Sequence, residues 1–286
     1  DIARIAREKG LTAQVSLRLN PDVEVDTHRH ITTGKEENKF GMSEADVGEA
    51  IAILKNEPGL KLIGLQAHIG SQIFDVEPYI KTAKYMNAKR ELLAAQTGAK
   101  IEYISLGGGF GVDYKQLDGS PTSFDFGTLS RSVQAIFGDA VETHFEPGRF
   151  ISAPLGILAS RVRHLKNRTG KVIAIIDAAM NDLIRPMLYE AYHPILPVTR
   201  RETEVNYDIV GPVCESTDTF TKGRKIPELH ENDWLVIGYA GAYGSCMSSN
   251  FNSRPLIPEV LLTTGGELRV IRKPQTLEHM LSPEII

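Results

Sequence analysis

Cysteine and tryptophan are scarce in this sequence. Two cysteines, Cys214 and Cys246, and a single tryptophan occur in 286 residues. Two thiols cannot make a disulfide framework, which fits a reducing compartment. Positive charge is not in surplus either. Thirty-two Lys and Arg stand against 36 Asp and Glu, for a net charge of −4. No basic excess is available to neutralise a phosphate backbone, so a nucleic-acid role drops out. Long hydrophobic runs are missing as well: none approaches the ~18 residues that span a bilayer, and no signal-peptide pattern is visible. Repeats and low-complexity segments are also lacking. What is there is an ordinary globular composition, 42% hydrophobic and 24% charged, at a length that suits one large domain or two ordinary ones. The chain opens at Asp1, inside a helix pattern and without Met, so a preceding N-terminal portion is expected.

The first half alternates strands with helices. Residues 13–19 read as a buried strand stopped by Asn20-Pro21. Ser43 and Asp46 are placed to cap a helix whose apolar positions are Val47, Ala50, Ile51 and Leu54. A strand is expected over 61–69. A long helix follows with Tyr79, Ala83, Met86, Arg90 and Leu93 on one side, and Gly98 suits its C-terminal end. A third strand, 101–106, runs into three glycines. Leu129, Val133, Ile136 and Phe137 mark another helix, closed by Gly138. A fourth strand covers 141–145. Four consecutive βα units imply a parallel sheet, with ligands expected at the loops that follow the strands. After a short helix near 152–159 the pattern changes. Apolar stretches at 171–176, 207–213 and 233–239 are separated by Pro, Gly and Asn, which reads as a mostly antiparallel β domain over about 160–270. Thr276 to Leu281 suit a short terminal helix. The domains are thus expected at 1–159 and 160–286.

Chemistry-bearing residues sit just past the strands. Gly107-Gly108-Gly109 allow a backbone to approach an anion and aim N–H groups at it, or form a tight turn with no ligand. They do not have the spacing of the dinucleotide fingerprint. His68 ends a strand, and Ser71 beside it can donate to a phosphate. Glu146 ends the fourth strand, either as a carboxylate for a protonated ring nitrogen or as an ion-paired neighbour of Arg149. Arg185 and Tyr189, four apart, would share a helical face, from which the arginine can take a carboxylate with both arms. Cys214 reads as a proton donor or as a packed, inert thiol; Cys246 reads as packed. Tyr243, among glycines, has room to reach a phosphate.

Together these stretches resemble the diaminopimelate decarboxylases, of the alanine-racemase-like fold (fold type III) of pyridoxal-phosphate enzymes. The matching segments are RLNPDV (18–23), ENKFGM (37–42), HIGSQ (68–72), GGGFG (107–111), EPGR (146–149), MNDLIRP (180–186), LYEAYH (188–193), GPVCESTD (211–218) and GAYGSCMSSNFNSRP (241–255), in family order. The ending LEHMLSPE looks like the family's C-terminus. The resemblance implies an α/β plus β fold, with the C-terminal half of a pyridoxal-phosphate-binding (β/α)8 TIM barrel followed by the β domain. It implies pyridoxal 5'-phosphate as cofactor, meso-2,6-diaminopimelate as substrate, L-lysine and CO2 as products, and a homodimer with shared active sites. It implies no metal, nucleic acid or membrane, and a place in the cytoplasm, or in a plastid for a plant protein. By the same resemblance His68 stacks on the cofactor ring and Glu146 faces its nitrogen. Ser71, Gly107, Gly108, Gly109 and the backbone of Glu146, Pro147, Gly148 and Arg149 hold the phosphate. Arg149, Arg185, Tyr189 and Glu215 bind substrate, Tyr243 touches phosphate and substrate, and Cys214 is the proton donor, reaching the partner subunit's site.

The sequence departs from the family in one large respect. The family's cofactor-anchoring lysine lies on the first barrel strand, in a segment resembling Y-A-V-K-A-N, and no such segment is found. Lys39 belongs to a different motif and does not take its place. A barrel needs about 250 residues, so roughly half of one, about 125 residues, is expected upstream. The chain by itself is therefore expected to be catalytically incomplete. Two alternatives stand beside the decarboxylase: a non-catalytic binding or regulatory relative, and an ornithine- or arginine-type decarboxylase of the same fold. In the ornithine-type enzymes Asp usually follows the motif cysteine; Glu215 stands there in this sequence and favours diaminopimelate.

Overall fold

Alternating side chains explain how the first four strands hold both a core and a site. A computed structural model describes residues 1–23, 40–116 and 122–285. The ENKFGM motif therefore lies partly outside the described residues, Lys39 included. Two compact units form: the described part of 1–113 with residues 122–150, and the described part of 114–121 with residues 151–285. The division falls between Phe150 and Ile151, ahead of the 159/160 boundary read from the sequence.

The first unit contains α1 (Ile2–Glu8), β1 (Ala13–Arg18), α2 (Glu44–Asn56), β2 (Leu60–Gln66), α3 (Glu77–Thr97), β3 (Tyr103–Ser105), α4 (Phe126–Phe137) and β4 (Glu142–His144). The strands pair in parallel in the order β1-β2-β3-β4. Parallel neighbours need a crossover, and the helices provide it. Successive residues of a strand face opposite sides of the sheet. Leu17, Leu65 and Ile104 on one side join the buried apolar core with Ala83, Met86, Leu93, Leu129 and Val133 from the helices. The other side carries Ser16, Gln66, Tyr103, Ser105 and His144, which line one open cleft with Phe145 and Glu146.

Local signals set the ends of these helices. The Ser43 hydroxyl accepts from Asp46 N–H at 3.3 Å, and the Asp46 carboxylate accepts from Ser43 N–H at 2.8 Å, a reciprocal cap. Asp125 caps α4 by accepting from Thr128 N–H at 2.9 Å. Gly98 ends α3 at φ +69°, where a side chain would be strained.

The second unit holds β5 (Leu158–Arg168), β6 (Lys171–Ile176), α6 (Arg185–Tyr189), β7 (Ile195–Pro197), β8 (Glu204–Val210), β9 (Thr219–Pro227) and β10 (Trp234–Ile237), then β11 (Glu259–Leu262), β12 (Leu268–Arg272) and α7 (Leu277–Leu281). A six-stranded sheet runs β7-β10-β5-β6-β8-β9, and β11 and β12 form a ribbon. Every pair is antiparallel except β6 with β8. The core is Val162, Ala174, Ile176, Tyr207, Ile209, Leu235 and Ile237 with their neighbours. The helix expected near 152–159 is corrected. One turn, α5, covers Arg149–Ser152 and a tighter turn Ala153–Leu155, after which Gly156 is extended and β5 begins. Pro154 lacks the N–H that a longer helix needs, which is why it stops there.

An aromatic group supports the glycine loop after β3. Tyr79 is fully buried, stacks on Phe110 at 5.0 Å and meets Phe124 edge-on at 5.4 Å. Its hydroxyl donates to Gly108 O at 2.9 Å, and burial pushes that hydroxyl's pKa up, so it stays a donor. Tyr79→Phe leaves the Gly108 carbonyl without this donor. A loss of about 1 kcal/mol is expected, read as a drop of about 2–4 °C in the unfolding midpoint. An unchanged midpoint would mean that the hydroxyl contributes nothing there.

Candidate active site

Three loops, each following a strand, meet at one end of the parallel sheet. They are 67–70 after β2, 107–109 after β3 and 145–148 after β4. The glycines make the meeting possible. A Cβ at Gly107 would lie 2.4 Å from Ala67 O, one at Gly108 2.0 Å from Glu146 O, and one at Gly109 2.2 Å from Gly70 O. Gly107 and Gly109 also have φ of +73° and +104°. The glycines thus let the loops touch backbone to backbone.

Glu146 is fixed by two neighbouring strands. Ser105 Oγ donates to its carboxylate at 2.6 Å, and Gln66 Nε2 does so at 3.2 and 3.4 Å. Ser105 Oγ in turn accepts from Gly107 N–H at 3.2 Å. Gln66 and Ser105 escaped the sequence reading because both sit in strands that read as apolar. The signal that could have found them is parity: they share a sheet face, two residues before His68 and Gly107. Gln66 Oε1 is buried with no hydrogen-bond partner among the described residues, as expected of a polar wall awaiting a ligand.

His68 is half-buried beside this carboxylate. Its Nδ1 accepts from Gly108 N–H at 3.2 Å, so the ring proton of the neutral form is on Nε2. Burial lowers its pKa below the usual 6.5; Arg18 acts the same way and Glu146 opposes. Arg149 Nε donates to Ser71 Oγ at 3.1 Å. Pro147 follows Glu146 in the third loop, and Gly148 faces open space, with nothing within 4 Å of a Cβ built there. The N–H groups of Gly107 and Gly108 are taken, by Ser105 Oγ and by His68 Nδ1 of the neighbouring loop, whereas Gly109 N–H has no acceptor among the described residues. A carboxylate, a neutral imidazole, a hydroxyl with a guanidinium and a free backbone N–H suit a phosphorylated ring with a protonated nitrogen.

The remaining candidates lie in the second unit. Arg185 is 5% exposed, with its guanidinium 4.6 Å from the Tyr114 ring centroid and NH1 2.8 Å from His193 Nε2. His193 Nδ1 lies 2.8 Å from Gly238 O. A ring that donates from Nδ1 to a carbonyl accepts at Nε2, so the arginine is the donor. Tyr189 shares α6 and is half-buried. Cys214 and Glu215 are exposed in the loop after β8. The packed readings of both cysteines are corrected: Cys246 is exposed as well, because its short 3-10 turn, Ser245–Met247, buries none of its residues. Tyr243 is 45% exposed at φ +55°, a conformation that costs about 1–2 kcal/mol for a residue with a Cβ. No group of three or more His, Cys, Asp or Glu among the described residues is arranged to hold a metal ion. No described helix is long and apolar enough to cross a membrane.

The lowered pKa of His68 makes folding favour the neutral ring. Its contribution is complete above the unfolded value near 6.5 and is lost as pH falls through the lower folded value. His68→Gln keeps an acceptor for Gly108 N–H and removes the titration. Chemical unfolding of the two proteins at a series of pH values should therefore give stabilities that diverge above pH ~6.5 and converge below it. A difference that does not change with pH would refute this.

Residues 1–153 match the family model of the pyridoxal binding domain of pyridoxal-dependent decarboxylases. The chain is 41% identical over 286 residues to the diaminopimelate decarboxylase of Neisseria meningitidis serogroup A, covering 99% of this chain and 69% of the relative. It is 38% identical to that of Aquifex aeolicus, covering 98% and 66%. Among solved structures, Helicobacter pylori diaminopimelate decarboxylase complexed with L-lysine superposes with a TM-score of 0.90 at 38% identity, covering 99% of this chain and 69% of that one. A viral arginine decarboxylase, at 23% identity and a TM-score of 0.72, shares the fold. The chain spans about two thirds of the length of these relatives. It belongs to the diaminopimelate decarboxylase family of pyridoxal-dependent decarboxylases.

Proposed function

We propose that this chain is the part of a diaminopimelate decarboxylase that binds the ring and phosphate of pyridoxal 5'-phosphate and supplies the proton donor, in the conversion of meso-2,6-diaminopimelate to L-lysine and CO2. The observation that carries this reading is a likeness of 38–41% identity running through both units to enzymes of that name. Loss of CO2 leaves an electron pair at the substrate Cα, for which pyridoxal phosphate, when bound, would supply an electron sink.

The residues of the chain act around that event. Glu146, steadied by Ser105 and Gln66, keeps a proton on the ring nitrogen by accepting its hydrogen bond, which a charged carboxylate does strongly. His68, neutral and half-buried, offers a flat face for the ring. Ser71, Gly109 N–H and the backbone of 148–149 hold the phosphate, while Gly107, Gly108, Glu146 and Pro147, whose N–H groups are taken or lacking, shape the cradle around it. Arg185, Arg149, Tyr189 and Glu215 bind substrate. A buried guanidinium such as Arg185, already fixed by His193 and Tyr114, gives a reason to choose an amino acid whose far end carries a carboxylate as well as an amine. Tyr243 touches phosphate and substrate. Cys214 transfers its proton to Cα, acting in the partner's site of a homodimer.

Turnover by the protein at its natural length, supplied with pyridoxal 5'-phosphate, tests the substrate. Lysine should form from meso-diaminopimelate in strong preference to any decarboxylation of ornithine, and the reverse preference would overturn the proposal. Cys214→Ser puts a far weaker acid in the same place. A positioned acid contributes about 10²–10⁴-fold, so kcat should fall about 100-fold or more, with the unfolding midpoint unchanged. A variant of full activity would remove Cys214 from the reaction.

A further inference from the structure

The loop after β8 carries Cys214 and Glu215, both exposed, and has no strand pairing of its own. Its shape comes from the residue that ends it, Asp218, which is 2% exposed. Gly211 N–H donates to Asp218 O at 2.9 Å, and Asp218 N–H donates to Glu215 O at 3.0 Å. The carboxylate turns back beneath the loop. Oδ2 accepts from Val213 N–H, the residue before Cys214, at 3.0 Å. Oδ1 accepts from Met180 N–H at 2.8 Å. Met180 opens the segment that leads through a buried Asp182 to Arg185. A Cβ on Gly211 would lie 2.1 Å from Oδ2, so the motif's glycine makes room for this carboxylate.

The surroundings hold this side chain in place. Arg254 reaches the same corner, donating from Nε to Asn181 Oδ1 at 2.9 Å and from NH2 to Asp177 O at 2.7 Å. Two backbone donors on one carboxylate, within reach of an arginine's field, offset part of its burial, which still raises its pKa above the usual carboxylate value. A side chain so placed contributes more than local folding. It ties the segment bearing the proton donor to the segment bearing the substrate grip.

We propose that Asp218 is a positioning residue for the reaction: it holds the Cys214–Glu215 loop in its working place by anchoring it to Met180. The inference rests on reading Cys214 as the acid. With Cys214 acting in the partner's site, the tie joins the grip of one site to the acid of the other.

Asp218→Asn keeps the volume but replaces one accepting oxygen by an N–H2 group. Three readouts follow from it in the protein at its natural length. The first is the rate of Cys214 alkylation by iodoacetamide relative to Cys246, the chain's other exposed thiol and an internal control. That ratio should change several-fold. The second is kcat, expected to fall about tenfold, equivalent to about 1.4 kcal/mol in the barrier. The third is the solvent deuterium isotope effect on kcat, which should rise as protonation becomes limiting; a merely structural role would leave it unmoved. An unchanged alkylation ratio with an unchanged isotope effect would overturn the proposal. Should the variant not fold, hydrogen exchange in the unaltered protein decides. Protected N–H groups at Val213 and Met180 would support the anchoring, and exchange as fast as that of exposed Ser216 would refute it. Full activity of Cys214→Ser would sink the acid reading and this role together, whereas an inactive Cys214→Ser beside a normal Asp218→Asn would sink this role alone.

Discussion

The site depends on three loops touching through their main chains. Carbonyls of Ala67, Glu146 and Gly70 occupy the positions where Cβ atoms of residues 107, 108 and 109 would stand. Any side chain at these three positions pushes the loops apart. With them would go the bond from Gly108 N–H to His68 and the bond from Gly107 N–H to Ser105, which in turn holds Glu146. Close backbone approach is thus the constraint, and the placement of imidazole and carboxylate follows from it.

The second unit solves a similar problem with a different device. Its candidate groups sit on loops and on the short helix α6, where no ladder fixes them. Buried polar side chains take over that task. His193 accepts from Arg185 while donating to Gly238 O, and Asp218 accepts from two segments at once. In a low-dielectric interior such fully paired groups are rigid, because breaking one leaves a desolvated charge or dipole. Exposed reactive groups such as Cys214 and Tyr243 can then be precise in position without being buried themselves.

Much of this was legible in the sequence where the cause is local. The reciprocal cap of Ser43 and Asp46 and the left-handed Gly98 depend on a few neighbouring residues, and both form as their residue types require. The parallel βα order and the antiparallel character of the second unit followed from periodicity. Legibility ended where the cause is tertiary. Ser105 and Gln66 looked like interruptions of apolar strands, since only the paired sheet reveals that they share a face. The helix expected near 152–159 is cut short at Pro154, whose effect on the backbone the apolar pattern around it does not show. The exposed cysteines read as packed because the composition around a thiol does not show which way its loop turns. Arg185 read alone could be a solvated residue; it is buried against Tyr114, distant in the chain, and bonded to His193, only eight residues further on.

The one parallel pair of the second sheet, β6 with β8, carries a topological obligation. Antiparallel neighbours can be joined by a two-residue turn, but parallel ones need a long return. Here residues 177–203 make that return, passing through α6 and laying down β7 at the far edge before β8 comes back beside β6. Arg185 and Tyr189 ride on it. A stretch that must exist for the sheet to close its register is free to vary in what it displays. The return can therefore be rewritten residue by residue while the strands on either side keep their pairing.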